Sequence, residues 1–204
     1  ENYTAVLATG GVFGALLSGI FARFLGRKKS LVVAGFLFSL GSLISAFLPN
    51  LEILTTCRFF LGFAVGMASF VVPLYLSETA PAGIRGSMGI LFQLMLTIGI
   101  FLISFTNLII AKIFINPHFA LPIMFAVIVV FSVLMFIGSI FLPESPRWLM
   151  LRNRKDDAIK VLKRLLDTEE EVSFEISEIG EILKKDKQES TVKSYFKKHF
   201  IKVL

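Results

Sequence analysis

The chain has 204 residues, of which 55% are hydrophobic and only 18% charged, with a mean hydropathy of +0.77 and a formal net charge of +6. Soluble domains carry about 25% charged residues, so the average composition points to a membrane protein. Two histidines, a single cysteine (Cys57) and no cluster of acids in the apolar part exclude an intrachain disulfide and offer no metal-ligand spacing or catalytic constellation. No enzyme is expected, and Cys57 reads as a packed apolar residue.

The composition is divided along the chain. Residues 1–142 hold seven Lys/Arg and three Asp/Glu, whereas residues 143–204 hold fourteen and twelve. The first part is expected to lie in lipid as a transmembrane bundle, 1–142, and the second in water. Most of the positive excess sits in the membrane part, so the net charge calls for no nucleic acid.

About 20 mainly apolar residues are needed for one helical crossing of a bilayer. The long uncharged runs predict five such helices, at 4–23, 31–48, 54–75, 87–110 and 120–142. The first run has no basic leader, is too long for the apolar core of a signal peptide and is followed by "GRKK", so it is read as a span. Lys/Arg bias in the short connections sets the expected orientation. The first connection carries Arg23, Arg27, Lys28 and Lys29, the third carries Arg85, and the polar segment opens with Arg147, Arg152, Arg154 and Lys155. The second connection, "PNLE", has no Lys or Arg and the fourth has only Lys112. The N-terminus is therefore expected outside and residues 143–204 in the cytoplasm, as an integral protein of the cell (inner or plasma) membrane. Within 143–204, Ala158, Leu162 and Leu165, then Val172, Ile176, Ile179 and Leu183, recur at helical spacing. Thr168 and Glu171 have the spacing of a capping box for the second of these helices.

Two helix faces carry more than lipid requires. On the third helix Arg58, Gly62, Gly66, Ser69 and Pro73 fall within roughly 80° of one another. Gly62 and Gly66 form a small-xxx-small pair that lets helices approach closely. Arg58 either faces a bundle interior or aqueous cavity, or snorkels to the outer end of its helix. On the fourth helix Gln93, Thr97, Ser104 and Asn107 form a second stripe. The Gln93 amide has two donors and an acceptor to satisfy, which neighbouring helices or a hydrated cavity with its ligand could supply.

In chain order, "RFFLGFAVG" from Arg58, "PLYLSETAPAGIRG" from Pro73, Gln93 in "FQLMLTIG" and "PESPRWL" from Pro143 together resemble the sugar porter family of the major facilitator superfamily. The resemblance implies an all-α membrane protein with a partial major facilitator fold, the five helices standing as the second to sixth of twelve. It makes 143–204 the cytoplasmic helical segment between the two halves of the family fold. It further implies a monosaccharide transporter working by alternating access, as a uniporter or proton symporter, whose partners are the lipid bilayer, the sugar and the C-terminal half. No cofactor follows beyond coupling to protons. On this resemblance Gln93, with Thr97 and Ile100, is assigned to substrate binding. Arg58 becomes the coupling candidate, because an Asp on the first helix pairs with the matching arginine in coupled members. Glu78, Arg85, Glu144, Arg147 and Arg27 match the cytoplasmic gate network. A sugar sensor of the same fold and an inactive truncated remnant stand as the alternatives.

Two stretches depart from the family pattern, and one is "NPHFALP", which lacks the Trp-Arg that usually precedes the sixth helix. The loop G-x-x-x-D-R-x-G-R-[RK] reads "GIFARFLGRK" here, with Arg23 in place of the Asp and Phe24 in place of the Arg. The loss of that acid leaves Arg27 expected to lack a partner.

Overall fold

A computed structural model describes residues 2–47, 51–114, 117–166 and 168–183. The first of its two compact units, Glu1–Glu144, holds α1 (Asn2–Phe24), α2 (Arg27–Phe47), α3 (Leu51–Thr79), α4 (Arg85–Ile113) and α5 (Pro117–Phe141), with a short 3₁₀ turn at Ala82–Ile84. All five helices are long and apolar enough to cross a membrane. The second unit, Ser145–Leu204, holds α6 (Pro146–Leu151), α7 (Lys155–Leu165) and α8 (169–183).

The helices run past the uncharged stretches, because a charge does not end a helix. The expected basic connection between the first two spans shrinks to Leu25 and Gly26, and Arg27, Lys28 and Lys29 form the first turn of α2. Gly26 makes that tight link possible with φ at +98°, the left-handed conformation that glycine adopts at little cost after a helix. α3 continues through Pro73 to Thr79 and so carries Glu78 inside the helix. It stops where Pro81, which lacks an N–H, biases the preceding residue out of the helical region. At 29 residues each, α3 and α4 are ~44 Å long, against a hydrocarbon core of about 30 Å.

Packing within the first unit is uneven. α1 lies along α3, and α2 packs on both α3 and α5. The α1–α3 seam is backbone against backbone. A Cβ at Gly66 would lie 2.9 Å from the Cα of Gly11, and one at Gly14 would lie 2.9 Å from the Cα of Phe63. Gly10 and Gly62 are closed in the same way, by Phe59 and Leu7. Four helical glycines, two on each side, thus set the helix separation, as small residues do where no hydrophobic force pulls helices together in lipid. The expected stripe on α3 is consequently divided, with Gly62 and Gly66 buried in the seam and Ser69 and Pro73 exposed. Met67, Val71 and Tyr75 continue the buried side of α3 against Ala22, Leu31 and Ala34. Between α2 and α5 the hydroxyls of Ser42 and Ser132, both buried, meet at 3.0 Å. α4 and α5 are buried least, over 6% and 11% of their spans, against 44% for α2.

The second unit is organised by the "SPRW" stretch. Pro146 occupies the first turn of α6, and the Ser145 hydroxyl caps the helix by accepting the Trp148 N–H at 3.2 Å. Trp148 suits a membrane interface by residue type, yet it is only 8% exposed, packed with Leu149 and Ala158. The Arg152 guanidinium lies 5.4 Å from its ring centroid. Asn153, with φ at 59°, turns the chain into α7, a conformation that Asn tolerates better than most residues. Thr168 accepts the Glu171 N–H at 3.3 Å, which is the N-cap half of the expected capping box. Lys163 donates to Glu169 at 2.6 Å and holds that carboxyl below its usual range.

Candidate functional site

Most of the residues singled out by sequence fall into three places. The densest lies where α1 turns into α2. Arg27 is buried, and its Nη2 donates to Glu78 Oε1 at 2.6 Å while Nη1 donates to the Ala22 carbonyl at 3.2 Å. Glu78 comes from the last turn of α3, with its side chain 3% exposed. The expectation that Arg27 lacks a partner is therefore corrected. With Arg23 exposed in the last turn of α1, the acid that balances Arg27 comes from another helix.

A second carboxylate joins them from beyond α5. Glu144 Oε1 accepts the backbone N–H groups of Arg27 at 2.9 Å and Lys28 at 3.0 Å. It thus caps the start of α2, where the unsatisfied amides and the helix dipole both favour a negative group. Gly26 is required here for space as well as for its dihedral, since a Cβ would lie 2.9 Å from the Glu144 carboxyl carbon. Tyr75 ties the same corner by donating its hydroxyl to the Pro143 carbonyl at 3.0 Å. Arg85 opens α4 and Arg147 lies in α6 of the second unit, both half-buried.

The second place is the face of α4. Gln93, Thr97 and Ile100 are all exposed on it. The hydroxyls of the stripe turn back on their own helix: Thr97 donates to the Gln93 carbonyl at 3.0 Å and Ser104 to the Ile100 carbonyl at 2.7 Å. The Gln93 carboxamide makes no side-chain hydrogen bond among the described residues. Further along the same face, the buried Oδ1 of Asn107 has no hydrogen-bond partner among the described residues. The third place is Arg58, half-buried on α3, whose Nε is buried and has no hydrogen-bond partner among the described residues.

Sequence reasoning did not find the capping role of Glu144 or the Tyr75 tether. Both join segments roughly seventy to one hundred and twenty positions apart, and no local pattern announces them. Gly26 was readable, because a glycine after an apolar helical run and before a basic one is a C-terminal helix signal. Removing one partner of a buried ion pair leaves an uncompensated charge at a cost of about 3–5 kcal/mol. Arg27→Met and Glu78→Leu are each expected to lower unfolding stability in detergent by about that amount. The double variant is expected to recover much of the loss, so a double-mutant cycle that comes out additive would contradict the pairing.

The sequence profile of the family described as "Sugar (and other) transporter" matches residues 2–204. The chain is 46% identical over 181 residues to the galactose-proton symporter of Escherichia coli K12, covering 85% of this chain and 36% of the relative. It is 42% identical over 184 residues to the arabinose-proton symporter of the same strain, covering 90% of this chain and 38% of the relative. Among solved structures, the partially occluded inward-open xylose transporter XylE from E. coli superposes with a TM-score of 0.81 at 26% identity, covering 92% of this chain and 48% of that one. The chain thus spans well under half the length of the curated relatives it matches. Five apolar spans of the major facilitator architecture make it an integral membrane protein of transporter rather than enzyme lineage. By a family match across its length, the chain belongs to the sugar transporter family.

Proposed function

We propose that the chain forms the N-terminal membrane portion of a monosaccharide transporter that works by alternating access and is driven by protons. One observation carries the reading: the membrane-spanning α4 presents the Gln93 carboxamide, exposed and unbonded among the described residues, on one face with Thr97 and Ile100. Unsatisfied polar groups in hydrocarbon cost several kcal/mol, and sugar hydroxyls supply both donors and acceptors for a carboxamide. The galactose-proton and arabinose-proton symporters among its relatives support a sugar as solute and the proton as driver. Because the chain matches little more than a third of those relatives, the second bundle that closes over the Gln93 face belongs to sequence outside these residues. Such a carrier places its substrate between two bundles near the bilayer midplane.

Arg58 is the coupling residue in this reading, its buried Nε awaiting an acid on another helix. Arg27, Glu78 and Glu144, already joined, form the gate portion held by the first unit. Arg85 and Arg147 complete the set, contacts that can bias a two-state equilibrium if they form in only one state. The gate end and residues 143–204 face the cytoplasm, supported by the Lys/Arg of the connections at that end.

With Cys57 replaced by Ser, a cysteine at Asn153 is expected to resist a membrane-impermeant maleimide in intact cells and to react in inverted vesicles. Labelling in intact cells contradicts the orientation. In a transporter that carries this chain and its second bundle, Gln93→Ala is expected to weaken sugar affinity by about 1–3 kcal/mol, the order of one lost buried hydrogen bond. Unchanged sugar binding alongside lowered expression would assign Gln93 a packing role instead.

A further inference from the structure

A cleft of about 520 Å³ opens between α2 and α3, at the end of the bundle where α2 finishes and α3 begins. Its walls include Leu40 and Ile44 from α2 and Ile53, Cys57 and Phe60 from α3. One acid interrupts this apolar lining: Glu52, exposed in the first turn of α3. Among the described residues no cation pairs with it. The helix dipole favours an acid in a first turn, but that does not account for its place on the rim of an apolar cleft.

An apolar cleft with a single carboxylate at its edge, on helices that cross a membrane, offers the two surfaces of an amphiphile: one for a tail and one for a cationic head. The volume falls within the roughly 300–1,000 Å³ of small-molecule sites, enough for one chain rather than a whole two-chain lipid. Acyl chains are the solvent of this surface, and a primary ammonium brings three N–H donors to a carboxylate where a quaternary head brings none. We propose that the α2–α3 cleft holds one acyl chain of a bilayer phospholipid whose primary ammonium head group pairs with Glu52. The bound lipid fastens α2 to α3 at this end of the bundle, on a surface separate from the Gln93 face of α4.

Cys57 provides a native reporter, since it is the chain's single cysteine, lies in the cleft wall and is 6% exposed. The test follows its alkylation by N-phenylmaleimide, with the 204-residue chain reconstituted in vesicles of phosphatidylcholine alone or mixed with phosphatidylethanolamine. Phosphatidylethanolamine is expected to slow alkylation roughly tenfold, the change in occupancy that one charge-assisted hydrogen bond confers. Glu52→Gln keeps the shape without the charge and is expected to bring the two vesicle types to the same rate. Leu40→Trp fills the cleft and is expected to protect Cys57 in both. Equal rates for the unaltered chain in the two vesicles, or a difference that survives Glu52→Gln, would overturn the proposal. An unchanged Cys57 rate in Leu40→Trp would also overturn it, by showing that the thiol is not reached through the cleft.

Discussion

The close approach of α1 and α3 sets the geometry on which the rest of the first unit depends. Gly10 and Gly14 on one helix and Gly62 and Gly66 on the other bring the backbones together without intervening side chains. In lipid no hydrophobic effect draws two apolar helices together, so contact area and close fit must do so. Held at that separation, the end of α1 delivers Gly26 and Arg27 to the last turn of α3, where Glu78 stands. The ion pair therefore depends on the glycine seam, and the capping of α2 by Glu144 depends on the turn that Gly26 permits.

Two mechanical characters follow within one bundle. At the corner where α1, α2, α3 and the end of α5 meet, Arg27, Glu78 and Glu144 each have a short-range partner, and Tyr75 adds a tether to Pro143. Such a cluster is costly to open by halves, because a buried charge left alone is far worse than a pair made or a pair replaced. α4 is different. Its sides touch α3 and α5 but little of it is buried, and Gln93, Thr97 and Ser104 of its polar stripe are exposed. A rigid scaffold carrying one helix with an unsatisfied face suits an element that meets a second bundle and a polar solute.

Much of this was legible in the sequence, and the gaps have physical causes. The five spans could be read because lipid demands about 20 apolar residues in a row, and little else produces such runs. Their ends could not, because Arg27, Glu78, Arg85 and Lys112 all lie within helices, held by partners, caps or the dipole rather than excluded by their charge. The Gly62–Gly66 pair was visible, but its counterpart on α1 shows only once the two helices are set side by side. Gln93 stood out because a carboxamide deep in an apolar run needs an explanation. The pairing of Arg27 did not, because the substitution at Arg23 suggested a lost acid, while the acid that matters comes from a residue fifty-one positions away.

The central claim is that these residues form one side of a two-bundle carrier. It is tested most directly by uptake of a radiolabelled monosaccharide into proteoliposomes, comparing the 204-residue chain alone with the chain continued into a second bundle. The account predicts saturable, stereospecific, proton-driven uptake only with the second bundle present. The same uptake by these residues alone would contradict it, and would require a complete pathway assembled from copies of this chain.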